Sequence, residues 1–223
     1  LFSITEPPEV DQPINQDMLL VLQSSQYEDE IDASFIAGDY EFSDSLTLNL
    51  ELRNTREHKE VVNLPSALTP TADATMSEQD FDYWTWRVIT DYLRDDGTLY
   101  YASLAKGVKG GGFNSDGTGY EEEDNVTLEV GSKFTWRSLR ANASLYYTDW
   151  NNLQIPVPDA NGNPVNVTGN LDGGAEVYGL EIDAQYPLLD SVRLDFGLAL
   201  NKAEYDSDAV NTSLSSACGA ETV

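Results

Sequence analysis

The sequence predicts an all-β fold, an antiparallel transmembrane β-barrel to which this chain contributes about eight strands. Three observations predict it. Apolar and polar residues alternate with a period of two, the alternating stretches run for roughly ten to fourteen residues, and the segments joining them are short and long in turn. Alternation gives a strand one apolar and one polar face. Globular strands average about 5–6 residues, whereas a tilted strand needs about 9–11 to cross a bilayer.

The alternation is clearest in five segments and weaker in three. Between residues 45 and 53, a leucine at every second position alternates with Thr47, Asn49 and Glu51. Similar patterns recur along the chain, and no segment predicts a helix of three turns. The predicted strands occupy residues 27–38, 45–53, 81–93, 98–107, 125–136, 139–148, 178–186 and 192–201.

The predicted connections alternate in length. Tight turns are predicted at residues 39–44, 94–97, 135–138 and 187–191. Long polar loops are predicted at residues 59–80, 108–123, 151–174 and after residue 204. Short turns on one side and long loops on the other are typical of outer-membrane barrels.

Side-chain placement fits the same prediction. Aromatic residues near the predicted strand ends suit the two interfacial girdles of a membrane barrel; they are Trp84, Trp86, Tyr92, Trp136, Tyr147, Trp150, Tyr178 and Tyr186. The apolar faces would then contact outer-membrane lipid, and the charged side chains of the opposite faces would line the lumen. These charged residues are Glu51, Arg53, Arg87, Glu129, Lys133, Arg140, Glu181, Asp183, Arg193 and Asp195. Both signs occur, so the lumen could hold water, a ligand or a protein plug.

Composition excludes several classes of protein. The 39 Asp and Glu against 12 Lys and Arg give a net charge of −27, which excludes nucleic-acid binding by phosphate neutralisation. A single histidine, His58, and a single cysteine, Cys218, exclude most His/Cys metal sites and an internal disulfide. The longest apolar run, residues 18–22, is far too short for a membrane-spanning helix.

No segment predicts catalysis or a cofactor. His58 is best interpreted as a solvated surface residue, and Cys218 lies in a tail without a G-x-S-x-G motif. The glycine-rich residues 106–114 match neither phosphate-binding loop pattern. The protein is therefore predicted not to be an enzyme.

Acidic segments raise the alternative of a Ca²⁺ site. Asp116 with residues 121–124 forms one segment, and residues 159–163 form half of an oxygen-ligand loop. The EF-hand spacing is incomplete, so turns and solvated acids are the favoured interpretation, and no metal is predicted.

Four ordered motifs resemble those of TonB-dependent receptors. Residues 99–107, LYYASLAKG, followed by GGFN at 111–114, are similar to the family's Y-A-S-x-S-K-G-F-R-x-G-G-F-N segment. Residues 128–133 resemble Y-E-x-G-x-K, residues 145–154 resemble F-Y-x-D-W-x-D-L-Q, and residues 174–181 resemble G-A-x-x-x-G-x-E. Upstream, residues 45–53 are similar to L-x-L-x-x-G-L-R, with Glu51 where glycine is usual. The resemblance covers about residues 27–205, with Val108 and Lys109 departing from the pattern.

The resemblance implies a 22-stranded barrel in the bacterial outer membrane, closed by an N-terminal plug that contacts the periplasmic TonB protein. Residues 1–223 are expected to be part of its later half, without plug, signal peptide, TonB box or terminal strand. An open eight-stranded sheet would have two unpaired edges in lipid, so it is not expected to fold stably alone.

The implied function is import of a ferric siderophore or another large nutrient, such as cobalamin or an oligosaccharide. Phe113, Asn114 and Tyr120, in a long loop, are the candidate ligand contacts. Two alternatives stay open. One is a self-contained eight-stranded structural barrel or small porin, in which the strand near residues 16–38 pairs with the strand near 192–205. The other is a soluble, secreted β-rich binding module.

Overall fold

The computed structural model describes residues 24–65, 73–114, 117–157 and 167–206. Its strands are β1 (Ser24–Ser43), β2 (Leu46–Leu64), β3 (Thr75–Leu93), β4 (Leu99–Lys109), β5 (Gly112–Phe113), β6 (Gly119–Tyr120), β7 (Glu123–Trp136), β8 (Leu139–Asn151), β9 (Gln154–Val157), β10 (Val167–Asn170), β11 (Gly174–Leu189) and β12 (Val192–Tyr205). In the ranges described, no helix is long and apolar enough to span a membrane.

Eight strands form one antiparallel sheet in the order β1-β2-β3-β4-β7-β8-β11-β12. The remaining strands form two small hairpins, β5–β6 and β9–β10, in the long connections after β4 and β8. β1 pairs with β2 and β12 pairs with β11, but β1 and β12 do not pair with each other. The all-β prediction is confirmed. The alternative of a self-contained eight-stranded barrel is wrong for this sheet, because the pairing that would close it is absent.

The two faces of the sheet differ sharply in chemistry. Directly opposed residues of antiparallel strands share a face, so the register shows which residues lie on the outer face and which on the inner face. One outer row reads Leu48, Thr90, Ala102, Val130, Leu145, Leu180 and Leu200. Many large apolar side chains of this face, such as Leu145 and Leu200, are exposed in the protein alone, as lipid-facing residues are. All ten charged residues expected in the lumen lie on the opposite, inner face.

The large apolar side chains of the outer face form a band, which we call the apolar belt. The belt runs obliquely across the sheet. Tyr92 and Tyr100 are directly opposed at the end of the belt on β3 and β4. Their row continues to Ser132 on β7, four positions before Trp136, which ends the belt there. Strands of a barrel are tilted, so a row perpendicular to them crosses the membrane boundary at an angle. The offset is therefore the expected result of strand tilt.

The strands nearest the N-terminus are longer than predicted. β1, β2 and β3 contain 20, 19 and 19 residues. The predicted loop at residues 59–80 is wrong, because β2 continues to Leu64 and β3 already begins at Thr75. Beyond the apolar belt both faces of these strands carry polar residues, so no alternation marks them. Most of the predicted segment after residue 204 lies outside the described residues.

Two tyrosines on the inner face lie across glycines of the neighbouring strand. Tyr101 is directly opposite Gly131, and Tyr146 is directly opposite Gly179. A Cβ at Gly131 would lie 2.5 Å from the Tyr101 ring, and one at Gly179 would lie 2.6 Å from the Tyr146 ring. Glycine is thus required at both positions because the rings occupy the space of a side chain.

Candidate functional site

The inner face of β2 and β3 carries a buried cluster beyond the apolar belt. Val61 and Phe81 are 0% and 3% exposed, and Glu57 is buried beside them. Lys59 Nζ lies 3.1 Å from the Glu57 carboxylate, and the Tyr83 hydroxyl donates a hydrogen bond to the same group. A buried carboxylate is tolerated when it is paired and hydrogen-bonded, so this charge has the partners it needs.

The connection after β4 folds onto this cluster. Lys59 Nζ donates to the carbonyl oxygen of Gly111 at 2.8 Å. A Cβ at Gly111 would lie 2.6 Å from the Phe81 ring, and one at Gly110 would clash with the Glu57 carboxylate. The glycine-rich segment therefore serves close packing of backbone against the barrel wall, which explains its composition without a phosphate ligand.

The two small hairpins are tied together by Asn114. Its Nδ2 donates to the carbonyl oxygen of Thr168 at 2.8 Å and to Thr118 Oγ1 at 3.1 Å. Its Oδ1 accepts from the backbone N–H of Thr168 at 2.7 Å. The Asn114 side chain thus both donates to and accepts from the backbone of Thr168, as a neighbouring strand would, and these bonds fix β10 beside β6.

Gln154, at the start of β9, connects the same hairpins from the other side. Its Nε2 donates to the carbonyl oxygens of Gly110 and Glu121, at 2.9 and 3.0 Å. Its backbone N–H donates to the buried Glu123 carboxylate at 2.6 Å. Asn170 adds further bonds to the backbone of Glu121. Together the two hairpins form one hydrogen-bonded unit over the inner face, which we call the mouth unit (residues 110–114, 117–123, 152–157 and 167–171).

The structure places the three predicted ligand contacts within the mouth unit. Asn114 is buried, and its side-chain amide is engaged by Thr118 and Thr168. Phe113 and Tyr120 are partly exposed in β5 and β6, with the Tyr120 ring next to Gly112. Direct ligand contact by these residues stays a prediction. Gln154, Glu57 and Lys59 were not singled out from the sequence, although Gln154 ends the F-Y-x-D-W-x-D-L-Q motif.

The acidic segment at residues 121–124 is not simply solvated. Glu123 is buried, and its carboxylate also lies 3.6 Å from Lys109 Nζ. Burial, together with the charges of Glu121 and Asp124, raises the pKa of Glu122 above its ordinary value. The interpretation as solvated acids is therefore wrong for Glu123, whose charge is used inside the mouth unit. Asp116 and residues 159–163 lie outside the described residues. Where the structure describes the chain, no three His, Cys, Asp or Glu residues form a metal-binding group.

His58 lies on the outer face, beyond the apolar belt. Its Nδ1 lies 2.7 Å from Asp80 Oδ1, and both side chains are exposed. The hydrogen bond with Asp80 raises the pKa of His58 above 6.5, and the charges of Glu78 and Glu30 act in the same direction. The prediction of a surface histidine is thus compatible with the structure, which adds an acidic partner.

The sheet is polar inside, apolar outside and covered at one end by the mouth unit. A family model described as "TonB dependent receptor-like, beta-barrel" matches residues 5–218. Solved structures with similar folds include the ferric yersiniabactin uptake receptor FyuA from Yersinia pestis, with 16% identity, a TM-score of 0.71, and coverage of 84% of this chain and 29% of that one.

Two further structures show the same similarity. The siderophore receptor PiuA from Acinetobacter baumannii has 16% identity and a TM-score of 0.65, over 85% of this chain and 29% of that one. The copper transporter OprC has 18% identity and a TM-score of 0.67, over 82% of this chain and 30% of that one. The chain thus spans about three tenths of the length of these proteins.

Proposed function

Because the chain belongs to the TonB-dependent receptor family, as part of its β-barrel, we propose that it forms one wall and part of the extracellular mouth of an importer for a ferric siderophore or similar large nutrient. The family consists of bacterial outer-membrane proteins that act as transporters or receptors rather than enzymes. The resemblance carried by the four motifs is confirmed by the match.

The observation that carries the proposal is the mouth unit folded over the polar inner face. Two hairpins, joined by Asn114 and Gln154, cover the inner wall where β2 and β3 extend beyond the apolar belt. A passive structural barrel needs no such cover, whereas a receptor needs ordered loops where its ligand enters. The same features argue against a soluble secreted module, because the apolar outer face would be exposed to water.

Ligand capture is assigned to the mouth unit. Phe113 and Tyr120 are candidates for direct contact, since both are partly exposed. Asn114 would contribute by fixing the hairpins, because its amide hydrogen bonds are made within the protein. Contact with TonB would be made through a plug, as the family resemblance implies.

The cargo is proposed from the family and its relatives. One of the similar structures is described as a ferric yersiniabactin uptake receptor, one as a siderophore receptor and one as a copper transporter. A chelated ferric ion is therefore the leading cargo, with a copper species, cobalamin and an oligosaccharide as alternatives.

The test uses the complete coding sequence that contains this chain. Deleting it should abolish growth on at least one ferric chelate under iron limitation, and the intact gene should restore growth. Dissipating the proton gradient or removing TonB should have the same effect as the deletion. Matched variants are Asn114→Ala in the mouth unit and Gln185→Ala on the exposed inner face far from it. Uptake that is unaffected by the deletion, with every nutrient tried, would overturn the proposal.

A further inference from the structure

The tight turn between β7 and β8 differs in charge from the other tight turns of the described sheet. It consists of Arg137 and Ser138, and residues 130–148 around it contain no Asp or Glu but three cations, Lys133, Arg137 and Arg140. The other three tight turns carry acids: Asp44, Asp95 with Asp96 (the latter paired with Arg94), and Asp190. In a chain of net charge −27, the end of this hairpin is therefore a local exception.

The Arg137 side chain lies on the lipid-facing side of the sheet. Its Cζ is 4.9 Å from the centre of the Trp136 ring, and Trp136, which is 62% exposed, ends the apolar belt on β7. Interfacial tryptophans lie at the depth of the lipid headgroups, so the guanidinium lies at that depth too. It makes no ion pair or side-chain hydrogen bond with a described residue. Because arginine stays protonated at ordinary pH, a full positive charge with free N–H donors faces the headgroups.

Arg137 also has a backbone conformation that arginine rarely adopts. Its φ is 55°, in the left-handed region where two-residue hairpin loops favour Gly, Asn and Asp. The other non-glycine residue with a positive φ in the described ranges is Asn152, whose residue type tolerates it. Strain of this kind costs folding energy and is typical of positions where a function requires the residue. Turn chemistry therefore does not account for Arg137, whereas a ligand for its charge does.

From these three observations we propose that Arg137 and Trp136 bind the phosphate headgroup of an anionic phospholipid, such as phosphatidylglycerol, in the periplasmic leaflet of the outer membrane. Short turns lie on the periplasmic side of bacterial barrels. Arg137 donates hydrogen bonds to the phosphodiester oxygens, and the Trp136 ring holds the guanidinium. A phospholipid fits better than free phosphate because its acyl chains pack on the apolar belt that continues from Trp136. The site does not depend on which nutrient is imported and goes beyond the proposed function.

The test measures lipid contact at this hairpin in the complete purified receptor. The receptor is reconstituted into phosphatidylcholine vesicles with increasing fractions of a photoreactive phosphatidylglycerol, and cross-links to residues 130–143 are quantified by peptide mapping. Arg137→Asn should raise the fraction needed for half-maximal cross-linking about tenfold. Trp136→Leu should raise it about threefold, because the attraction between ring and guanidinium is lost. Unlabelled phosphatidylglycerol should displace the probe better than phosphatidylethanolamine, whose ammonium group offsets the phosphate charge.

Arg137→Asn also separates lipid binding from a role in folding. Asparagine tolerates a positive φ, so in vesicles of phosphatidylcholine alone this variant should resist urea at least as well as the wild type, although it binds phosphatidylglycerol more weakly. Lower stability of the variant in these vesicles would overturn the proposal, because Arg137 would then contact another part of the receptor.

The matched control is Arg140→Asn, which removes the same charge from the inner face of the same hairpin, where Arg140 is directly opposite Thr135 and Gln185. Cross-linking should be unchanged by this variant. The proposal is overturned if Arg137→Asn leaves cross-linking unchanged, or if Arg140→Asn reduces it equally, because positive charge anywhere in the hairpin would then suffice. It is also overturned if inorganic phosphate displaces the probe as well as phosphatidylglycerol does, because the site would then bind a free anion. Each of these outcomes leaves the proposed import function intact.

Discussion

The side-chain Nε2 of Gln154 donates a hydrogen bond to the carbonyl oxygen of Gly110 at 2.9 Å. One residue at the start of the β9–β10 hairpin thereby fixes the glycine-rich segment that precedes the β5–β6 hairpin. The two residues are separated by 44 positions in sequence, yet neither of their loops can move far without breaking this bond.

Removing the Gln154 side chain should loosen the mouth unit without unfolding the sheet. Gln154→Ala leaves the carbonyl oxygens of Gly110 and Glu121 without this donor, at a cost of about 1–3 kcal/mol in local stability. Hydrogen exchange at residues 110–114, 117–123 and 152–157 should accelerate, while exchange in the middle of β7 and β8 stays slow. Gln185→Ala, on the exposed inner face, should change neither. Uniform acceleration across the sheet would contradict the local role assigned to Gln154.

The pair of Glu57 and Lys59 should stabilise the protein more than a surface pair does. Lys59→Met leaves the Glu57 carboxylate buried without its cation, and the free energy of unfolding in urea should fall by about 3 kcal/mol. Adding Glu57→Gln to that variant should restore part of the loss, because the unpaired charge is removed. Breaking the exposed Arg56–Asp82 pair should cost less than about 1 kcal/mol. Equal costs for the two pairs would show that burial does not matter here.

A side chain at Gly131 should conflict with Tyr101. Gly131→Ala places Cβ 2.5 Å from the Tyr101 ring, so the ring must move and its 2.5 Å hydrogen bond to Glu129 is lost. Overpacking of this kind costs about 1–3 kcal/mol, measurable by urea unfolding of the barrel in vesicles. In the Tyr101→Ala background, Gly131→Ala should have no further effect, which identifies the ring as the cause. Gly38→Ala is the control, since nothing lies within 4 Å of a Cβ there.

The pKa of His58 should lie above 6.5 because of its hydrogen bond with Asp80. A histidine whose pKa is raised by folding stabilises the folded state fully below pH 6.5, and this contribution is lost as the pH rises through the folded pKa. NMR titration of the imidazole should give a midpoint above 6.5 that falls in Asp80→Asn. A midpoint that is unaffected by that substitution would assign the shift to other charges, such as those of Glu30 and Glu78.

The part of the sheet that carries the apolar belt could be predicted from sequence, because contact with lipid alone determines its pattern. On β7, β8 and β12, lipid selects apolar residues at every second position, and the predicted strands at 125–136, 139–148 and 192–201 lie within the observed ones. The parts of β2 and β3 beyond the apolar belt could not be predicted. Their outer face contacts water and their inner face carries charges, so apolar and polar residues do not alternate there. Lys59 and Glu60, for example, are neighbours on opposite faces.

The structure of the mouth unit could be predicted even less from a sequence pattern. Its geometry depends on single amides, those of Asn114 and Gln154, which bind backbone atoms 54 and 44 residues away. The resemblance to the receptor family placed both residues within motifs, but it did not show that their side chains join the two hairpins.

The extra length of β1–β3 carries this part of the wall well beyond the apolar belt. On β3 the apolar belt ends at Trp84, and the strand continues for nine more residues to Thr75. At about 3.3 Å per residue and a tilt of about 45°, the wall rises roughly 20 Å above the lipid. Its outer surface there is charged and accessible to water. Under the proposed function a nutrient would enter from solution over this raised rim, and antibodies or other large external proteins should be able to reach the rim on intact cells.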